Sequence, residues 1–316
     1  MLIDGKDDHV MGTVVLKLSK ENQEQVISNF QASRISPPPY SRFAARTKTC
    51  VVTIYNSGKV MFQGSDAETI AGRYGLPLAK KGPSTPSGAL PPDFSTWSVV
   101  GSDEVGKGDF FGPLVVVAAY VETSQIKLVQ ELGVRDSKHV SDTEIRKIAR
   151  DLHAVIPYEY RILHNPDYNV MQRTMTQGKM TALLHNAALS GLLEKLPEKP
   201  QAILIDQFAE KATYYKHLSG EAKQVKEDVY FSTKAEGLHV AVAAASILAR
   251  AIFLKEMDAL SQRAGTTIPK GAGAKVDQVA AALLLKYGPD QVKDWTKFHF
   301  ANTKKATQLA EKRNRP

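Results

Sequence analysis

Apolar and polar positions change period along the chain, and the change marks out its elements. Thr13-Val14-Val15-Leu16-Lys17-Leu18 is rich in β-branched and apolar residues and reads as a strand. Ser19 is placed to cap a helix running to about Ser33, with Val26, Ile27 and Phe30 on one side. Residues 50–55 and 59–63 are strand-like runs that flank Asn56-Ser57-Gly58, which is good hairpin chemistry. Ser65 is placed to cap a last helix through Tyr74, closed by Gly75. This first segment, residues 1–75, predicts a small α+β domain.

Residues 76–96 lose all periodicity and contain Pro77, Pro83, Pro86, Pro91 and Pro92 among Lys, Gly and Ser. Such a stretch predicts a linker. Beyond it, residues 97–316 alternate strand and helix patterns. Strands are predicted at 97–104, 113–122, 158–164, 201–206 and 229–234. Helices are predicted at 142–155, 177–196, 239–257, 276–287 and 302–313. The alternation predicts an α/β domain, a mixed sheet covered by helices. No internal repeat is found.

Composition narrows the function classes. A hydrophobic fraction of 43% and a charged fraction of 23% are those of a soluble globular protein. A net charge of +8 suits a polyanionic partner such as nucleic acid. The single cysteine, Cys50, excludes an internal disulfide and a cysteine-based zinc site. It sits in an apolar run and reads as a buried thiol. No window approaches 18 apolar residues, so no membrane span is expected. The polar, acidic start is unlike a signal peptide, and a cytoplasmic protein is the simplest expectation.

Chemistry enters with Asp103-Glu104. The pair lies between an apolar lead-in, Trp97-Ser98-Val99-Val100, and Gly106-Lys107-Gly108-Asp109-Phe110-Phe111-Gly112-Pro113. Adjacent acids in a buried strand are costly unless a cation sits on them. A divalent metal or a pair of lysines meets that need. Two more acids follow strand patterns: Asp206 ends Ala202-Ile203-Leu204-Ile205, and Glu236 follows Phe231-Ser232-Thr233-Lys234-Ala235. After Glu236 comes a helix of small residues around Ala243-Ala244-Ala245-Ser246, able to lie close to the sheet. Three strand ends thus deliver four carboxylates to one edge. Four carboxylates together repel, and divalent cations with oxygen ligands remove the repulsion. Neighbouring strand residues point to opposite faces, so convergence of Asp103 with Glu104 is expected to need a bend in the strand. For Asp206 or Glu236 taken singly, a helix cap, a turn residue or a salt-bridge partner is the default reading.

The stretch Gly101-Ser102-Asp103-Glu104-Val105-Gly106-Lys107-Gly108-Asp109-Phe110-Phe111-Gly112-Pro113 resembles the signature of the type 2 ribonucleases H, and most closely the ribonuclease HIII family. Further segments carry the resemblance: Val134-Arg135-Asp136-Ser137-Lys138, Leu184-His185-Asn186, Lys234-Ala235-Glu236, Ala243 to Arg250, Pro269 to Ala274, and His299 to Lys305. Residues 53–64 are similar to the hairpin of the small substrate-holding domain of that family, which resembles a TATA-binding-protein half. Ribonuclease HII lacks this domain and carries a Gly-Tyr-Pro-Thr segment that is missing here.

The resemblance implies a ribonuclease H-like fold and hydrolysis of the RNA strand of RNA/DNA hybrids, with 5′-phosphate and 3′-hydroxyl ends. It implies Asp103, Glu104, Asp206 and Glu236 as catalytic and metal-binding residues, with two Mg²⁺ or Mn²⁺ ions. Ribonuclease HII has Asp where this chain has Glu236; the extra methylene moves the carboxylate by about 1.5 Å. It also has Gly-Arg-Gly in place of Gly106-Lys107-Gly108. That motif is the expected contact for the ribose 2′-hydroxyl, with Lys107 also placed to touch a phosphate. Further substrate contacts are expected from Lys304 and Lys305, and from Tyr55 and Lys59 near the hairpin turn. His185 and His239 are expected to pack or hydrogen-bond at helix surfaces. A monomer is expected. Two alternatives stand beside this reading: ribonuclease HII-like cleavage at single ribonucleotides in DNA, and a hybrid-binding protein without catalysis.

Overall fold

The computed structural model describes residues 12–38, 41–74, 90–134 and 140–314. Most of the predicted linker, Gly75, and the Arg135–Lys138 motif lie outside the described residues. The chain divides into two compact units, residues 1–85 and 86–316.

In the first unit, β1 (Gly12–Lys17), β2 (Arg34–Ile35), β3 (Ser41–Arg46), β4 (Val51–Tyr55) and β5 (Lys59–Gly64) form an antiparallel sheet of order β1-β5-β4-β3-β2. Helices α1 (Lys20–Phe30) and α2 (Ala67–Ala71) complete the unit. Val14, Leu16, Val26, Phe43, Val52, Ile54, Val60 and Phe62 form its core. Ser19 caps α1 by accepting from the Asn22 N–H, as its position predicts. Ser65 does not cap α2. Its hydroxyl points to the Thr49 carbonyl, and Asp66 precedes the helix. Buried Cys50 has its thiol pKa pushed up, chiefly by desolvation.

In the second unit, β6 (Val99–Val105), β7 (Leu114–Val121), β8 (Tyr158–Leu163), β9 (Ala202–Asp206) and β10 (Val229–Ser232) form a mixed sheet of order β10-β9-β6-β7-β8. β10, β9 and β6 run parallel, so their carboxyl ends share one edge. β7 turns back antiparallel to both β6 and β8. The helices are α3 (Ile126–Glu131), α4 (Asp142–Val155), α5 (Asn165–Met171), α6 (Gln177–Leu193), α7 (Lys211–His217), α8 (Val240–Ala264), α9 (Ala274–Lys293) and α10 (Ala301–Arg313). Val99, Val117 and Ala119 share one core with α4 and α8, whereas Val100, Val116 and Ala118 share another with α6 and α7. The central strands are therefore covered on both faces, which explains their near-continuous apolar runs.

The long, periodic elements fall where the patterns put them. Five elements carry no such signal, among them β2, which has only two residues. β3, Ser-Arg-Phe-Ala-Ala-Arg, has none of the β-branched residues that mark strands. α3, α5 and α7 have six or seven residues each, too few to show a helical period. α9 is broken at Gly288, whose φ is 78° and which precedes Pro289; the periodic part ends there, as the sequence suggests.

Candidate active site

The shared edge of β6, β9 and β10 carries the four predicted acids. Asp103, Glu104, Asp206 and Glu236 line one cavity of about 230 Å³, together with Val105, Ser246 and Arg250. β6 delivers two of them without the expected bend. Its pairing with β7 is unbroken from Val99↔Val121 to Val105↔Val115. Asp103 and Glu104 keep opposite faces and reach the cavity from the two sides of the strand.

Asp103 faces α8. A side chain on Gly101 would meet the backbone of Ala241 and Val242 at 2.3 Å, so only glycine lets the start of α8 lie directly on β6. That close approach, which the small residues of α8 foreshadow, brings the Ser246 hydroxyl to Asp103. Asp103 Oδ1 also accepts the Glu104 N–H at 2.7 Å. Desolvation, then the nearby Glu104 and Asp206 charges, raise its carboxyl to about 7, against the two hydrogen bonds.

Glu104 faces α6. Burial opposes its charge, yet His185 and Lys107 hold its carboxyl below the usual glutamate value. Lys107 Nζ lies 3.0 Å from Oε1, and His185 Nε2 lies 3.1 Å from Oε2. His185 is fully buried on α6, and its Nδ1 lies 2.7 Å from Ser102 Oγ. Ser102 Oγ also lies 3.0 Å from the Val117 carbonyl. An ionised carboxylate only accepts, so in this contact Nε2 is the donor and Glu104 the acceptor. His185 hydrogen-bonds, as one side of the sequence reading has it, but from a fully buried position rather than a helix surface, and its partner is one of the four predicted acids. Phe208 braces the pair: its ring stacks on His185 at 5.0 Å and lies 4.8 Å from Lys107 Nζ.

Asp206 ends β9 and accepts the Ala235 N–H at 2.9 Å. Glu236 does not sit at the strand end predicted for it, because β10 stops at Ser232. Lys234 takes a left-handed conformation, and Ala235–Gly237 form a 3₁₀ turn that places Glu236 at the cavity. His239 behaves as expected. Buried at the N-terminus of α8, it accepts the Ala241 N–H and faces the Trp97 carbonyl; desolvation lowers its pKa to about 4.

The loop from Gly106 to Pro113 leaves the same edge. Gly106 has φ of 95°, and a side chain there would sit 2.1 Å from the Pro113 carbonyl, so its role is to let the loop close. Gly108 is exposed, and a Cβ added there would meet nothing within 4 Å. Of the other predicted contacts, Lys304 and Lys305 are exposed on α10 and do not line the cavity. Tyr55 and Lys59 flank the hairpin of the first unit, Tyr55 half-buried and Lys59 exposed.

Among the described residues, no three His, Cys, Asp or Glu side chains already close around a point as metal ligands. The donor set nonetheless fits a hard divalent cation: four carboxylates around one cavity, without sulfur. Among the described residues, no helix is long and apolar enough to cross a membrane.

A family model described as Ribonuclease HII matches residues 100–303, and one described as a domain of unknown function, DUF3378, matches residues 13–87. Ribonuclease HIII of Exiguobacterium sibiricum is 78% identical over 306 residues, covering 97% of this chain and 100% of that protein. Ribonuclease HIII of Bacillus subtilis is 51% identical, covering 96% of this chain and 99% of that protein. The crystal structure of Bst-RNase HIII in complex with Mn²⁺ is similar with a TM-score of 0.70 at 39% identity, covering 95% of this chain and 100% of that chain. With two curated relatives matched almost end to end and the carboxylate edge in place, the chain belongs to the ribonuclease HIII family.

Proposed function

We propose that the chain is an endoribonuclease that hydrolyses the RNA strand of RNA/DNA hybrids, leaving 5′-phosphate and 3′-hydroxyl ends. Asp103, Glu104, Asp206 and Glu236 are its catalytic and metal-binding carboxylates. The observation that carries this reading is their gathering on one cavity at the carboxyl ends of β6 and β9 and in the turn after β10. They hold two Mg²⁺ or Mn²⁺ ions. Bound there, two such ions supply Lewis-acid activation of water and neutralise charge developing on the departing 3′ oxygen.

The protein's own groups prepare the site. His185 keeps Glu104 charged and oriented, the Ser246 hydroxyl orients Asp103, and the Ala235 N–H orients Asp206. Lys107, about a third exposed, neutralises Glu104 and is able to swing to a phosphate when a stronger cation takes its place. The bare backbone around Gly106, Lys107 and Gly108 meets the ribose, where a 2′-hydroxyl distinguishes RNA from DNA. Lys304 and Lys305 add phosphate contacts. The first unit grips the hybrid through the hairpin bearing Tyr55 and Lys59. The enzyme acts as a monomer in the cytoplasm.

The test uses a labelled RNA/DNA hybrid and a DNA duplex holding one ribonucleotide, each with Mg²⁺, Mn²⁺ or EDTA. Metal-dependent cutting of the hybrid is expected, with none in EDTA. Cutting of the single-ribonucleotide duplex alone would move the assignment to ribonuclease HII-like activity. Binding without cutting under any metal would overturn catalysis.

A further inference from the structure

Lys297 is a lysine with no exposed surface. Burying an ammonium is costly, and among the described residues none of its contacts is an ion pair. Its three protons have other destinations. Nζ donates to the Asp109 carbonyl at 2.9 Å and the Gly112 carbonyl at 2.6 Å, and it lies 5.6 Å from the Tyr168 ring centre. Desolvation lowers its pKa to about 7, with the Asp109 charge working the other way.

Both carbonyls belong to the loop that leaves the carboxylate edge. The same loop is held at a third carbonyl. Gln177 Nε2, on the first turn of α6, donates to Lys107 O at 3.0 Å and contacts Tyr168 Oη at 2.9 Å. Tyr168 is thus shared: its ring faces Lys297 and its hydroxyl meets Gln177. Each tie ends on main chain, so the arrangement fixes where the loop backbone runs, whatever its side chains are.

We propose that Lys297, with Gln177 as its partner, is a positioning residue for substrate recognition. Its ammonium sets the path of the Gly106–Pro113 loop and so holds Gly106-Lys107-Gly108 in the form that meets the RNA strand. The assignment rests on the proposed role of that glycine segment. It predicts that loosening the clamp costs recognition of the hybrid more than turnover.

The experiment compares Lys297→Met and Gln177→Ala with a core control, Leu152→Ala, which is buried in α4 and is none of the loop's hydrogen-bond partners. Two readouts are taken: kcat and KM on an RNA/DNA hybrid, and backbone hydrogen exchange over residues 106–113. Both clamp variants are expected to raise KM at least tenfold, with kcat within threefold, and to speed exchange in the loop. Leu152→Ala should lower Tm without moving KM. Unchanged KM and unchanged loop exchange in Gln177→Ala and in folded Lys297→Met would overturn the proposal. So would an equal rise of KM in the core control. Should Lys297→Met fail to fold, half-buried Gln177 carries the same test. Should the wild type cut no hybrid, the activity assignment fails by itself, and loop exchange still decides whether the clamp exists.

Discussion

The Nε2 atom of His185 lies 3.1 Å from Oε2 of Glu104, joining a fully buried ring on α6 to an acid on the central strand. Groups that orient metal ligands from behind typically matter about 10–100-fold in metal affinity or activity. His185→Leu keeps bulk against Phe208 and removes the donor. It should raise the Mg²⁺ concentration for half-maximal activity about tenfold or more. Titration of activity with metal, alongside Tm, checks this; an unchanged metal requirement would show that Glu104 needs no such support.

If Asp206 is the metal ligand proposed above, Asp206→Asn should abolish cleavage while leaving hybrid binding within about threefold, because it touches no phosphate contact. The measurement pairs a cleavage assay with binding of a labelled hybrid. Lost binding with retained cleavage contradicts the assigned role.

Asp103 predicts a pH dependence. Its folded pKa, about 7, lies above its ordinary value of 3.8. A carboxyl raised in this way holds its proton more tightly when folded. Its contribution to stability is full below about 4 and is lost as pH rises through about 7. In EDTA, the Tm of the wild type should therefore lose this contribution between those values, and Asp103→Asn should not. Glu104, whose pKa is lowered, works in the opposite direction, so the wild type is compared with the variant at each pH. Parallel Tm profiles would refute the assignment.

Gly106→Ala and Gly108→Ala should separate two roles. At Gly106, positive φ costs about 1–2 kcal/mol and the overlap with Pro113 about 1–3 kcal/mol more, read as a fall in stability by denaturant unfolding. At Gly108, stability should change by no more than about 0.5 kcal/mol, whereas KM for the hybrid should rise. A stable Gly108→Ala enzyme with wild-type KM would remove this backbone from the recognition surface.

Deleting residues 1–85 should raise KM more than it lowers kcat if the first unit supplies uniform binding to the hybrid. Steady-state kinetics on hybrids decide this, and an unchanged KM would show that the unit is not the substrate grip.

How much the sequence makes legible follows from where the information resides. β7 and β9 are short apolar runs with clear ends, and the acids flanking such runs are readable as an edge cluster. Glu236 is harder, since a left-handed Lys234 is not a residue that announces a turn. His185 and Lys297 are unreadable as partners. Their side-chain hydrogen-bond partners lie 81 to 188 residues away in the chain, and only packing brings those segments together. The bend expected between Asp103 and Glu104 follows from the need for convergence alone. The regular strand instead exposes both of its faces at its end, so no bend is required.

That regularity gives the two adjacent acids different neighbours. Asp103 answers to α8 through Ser246, and Glu104 answers to α6 through His185. Substitutions on one helix act first on one carboxylate, while its neighbour in sequence keeps its own helix partner. A pair of acids that looks inseparable in one dimension is, in three, held from two different helices.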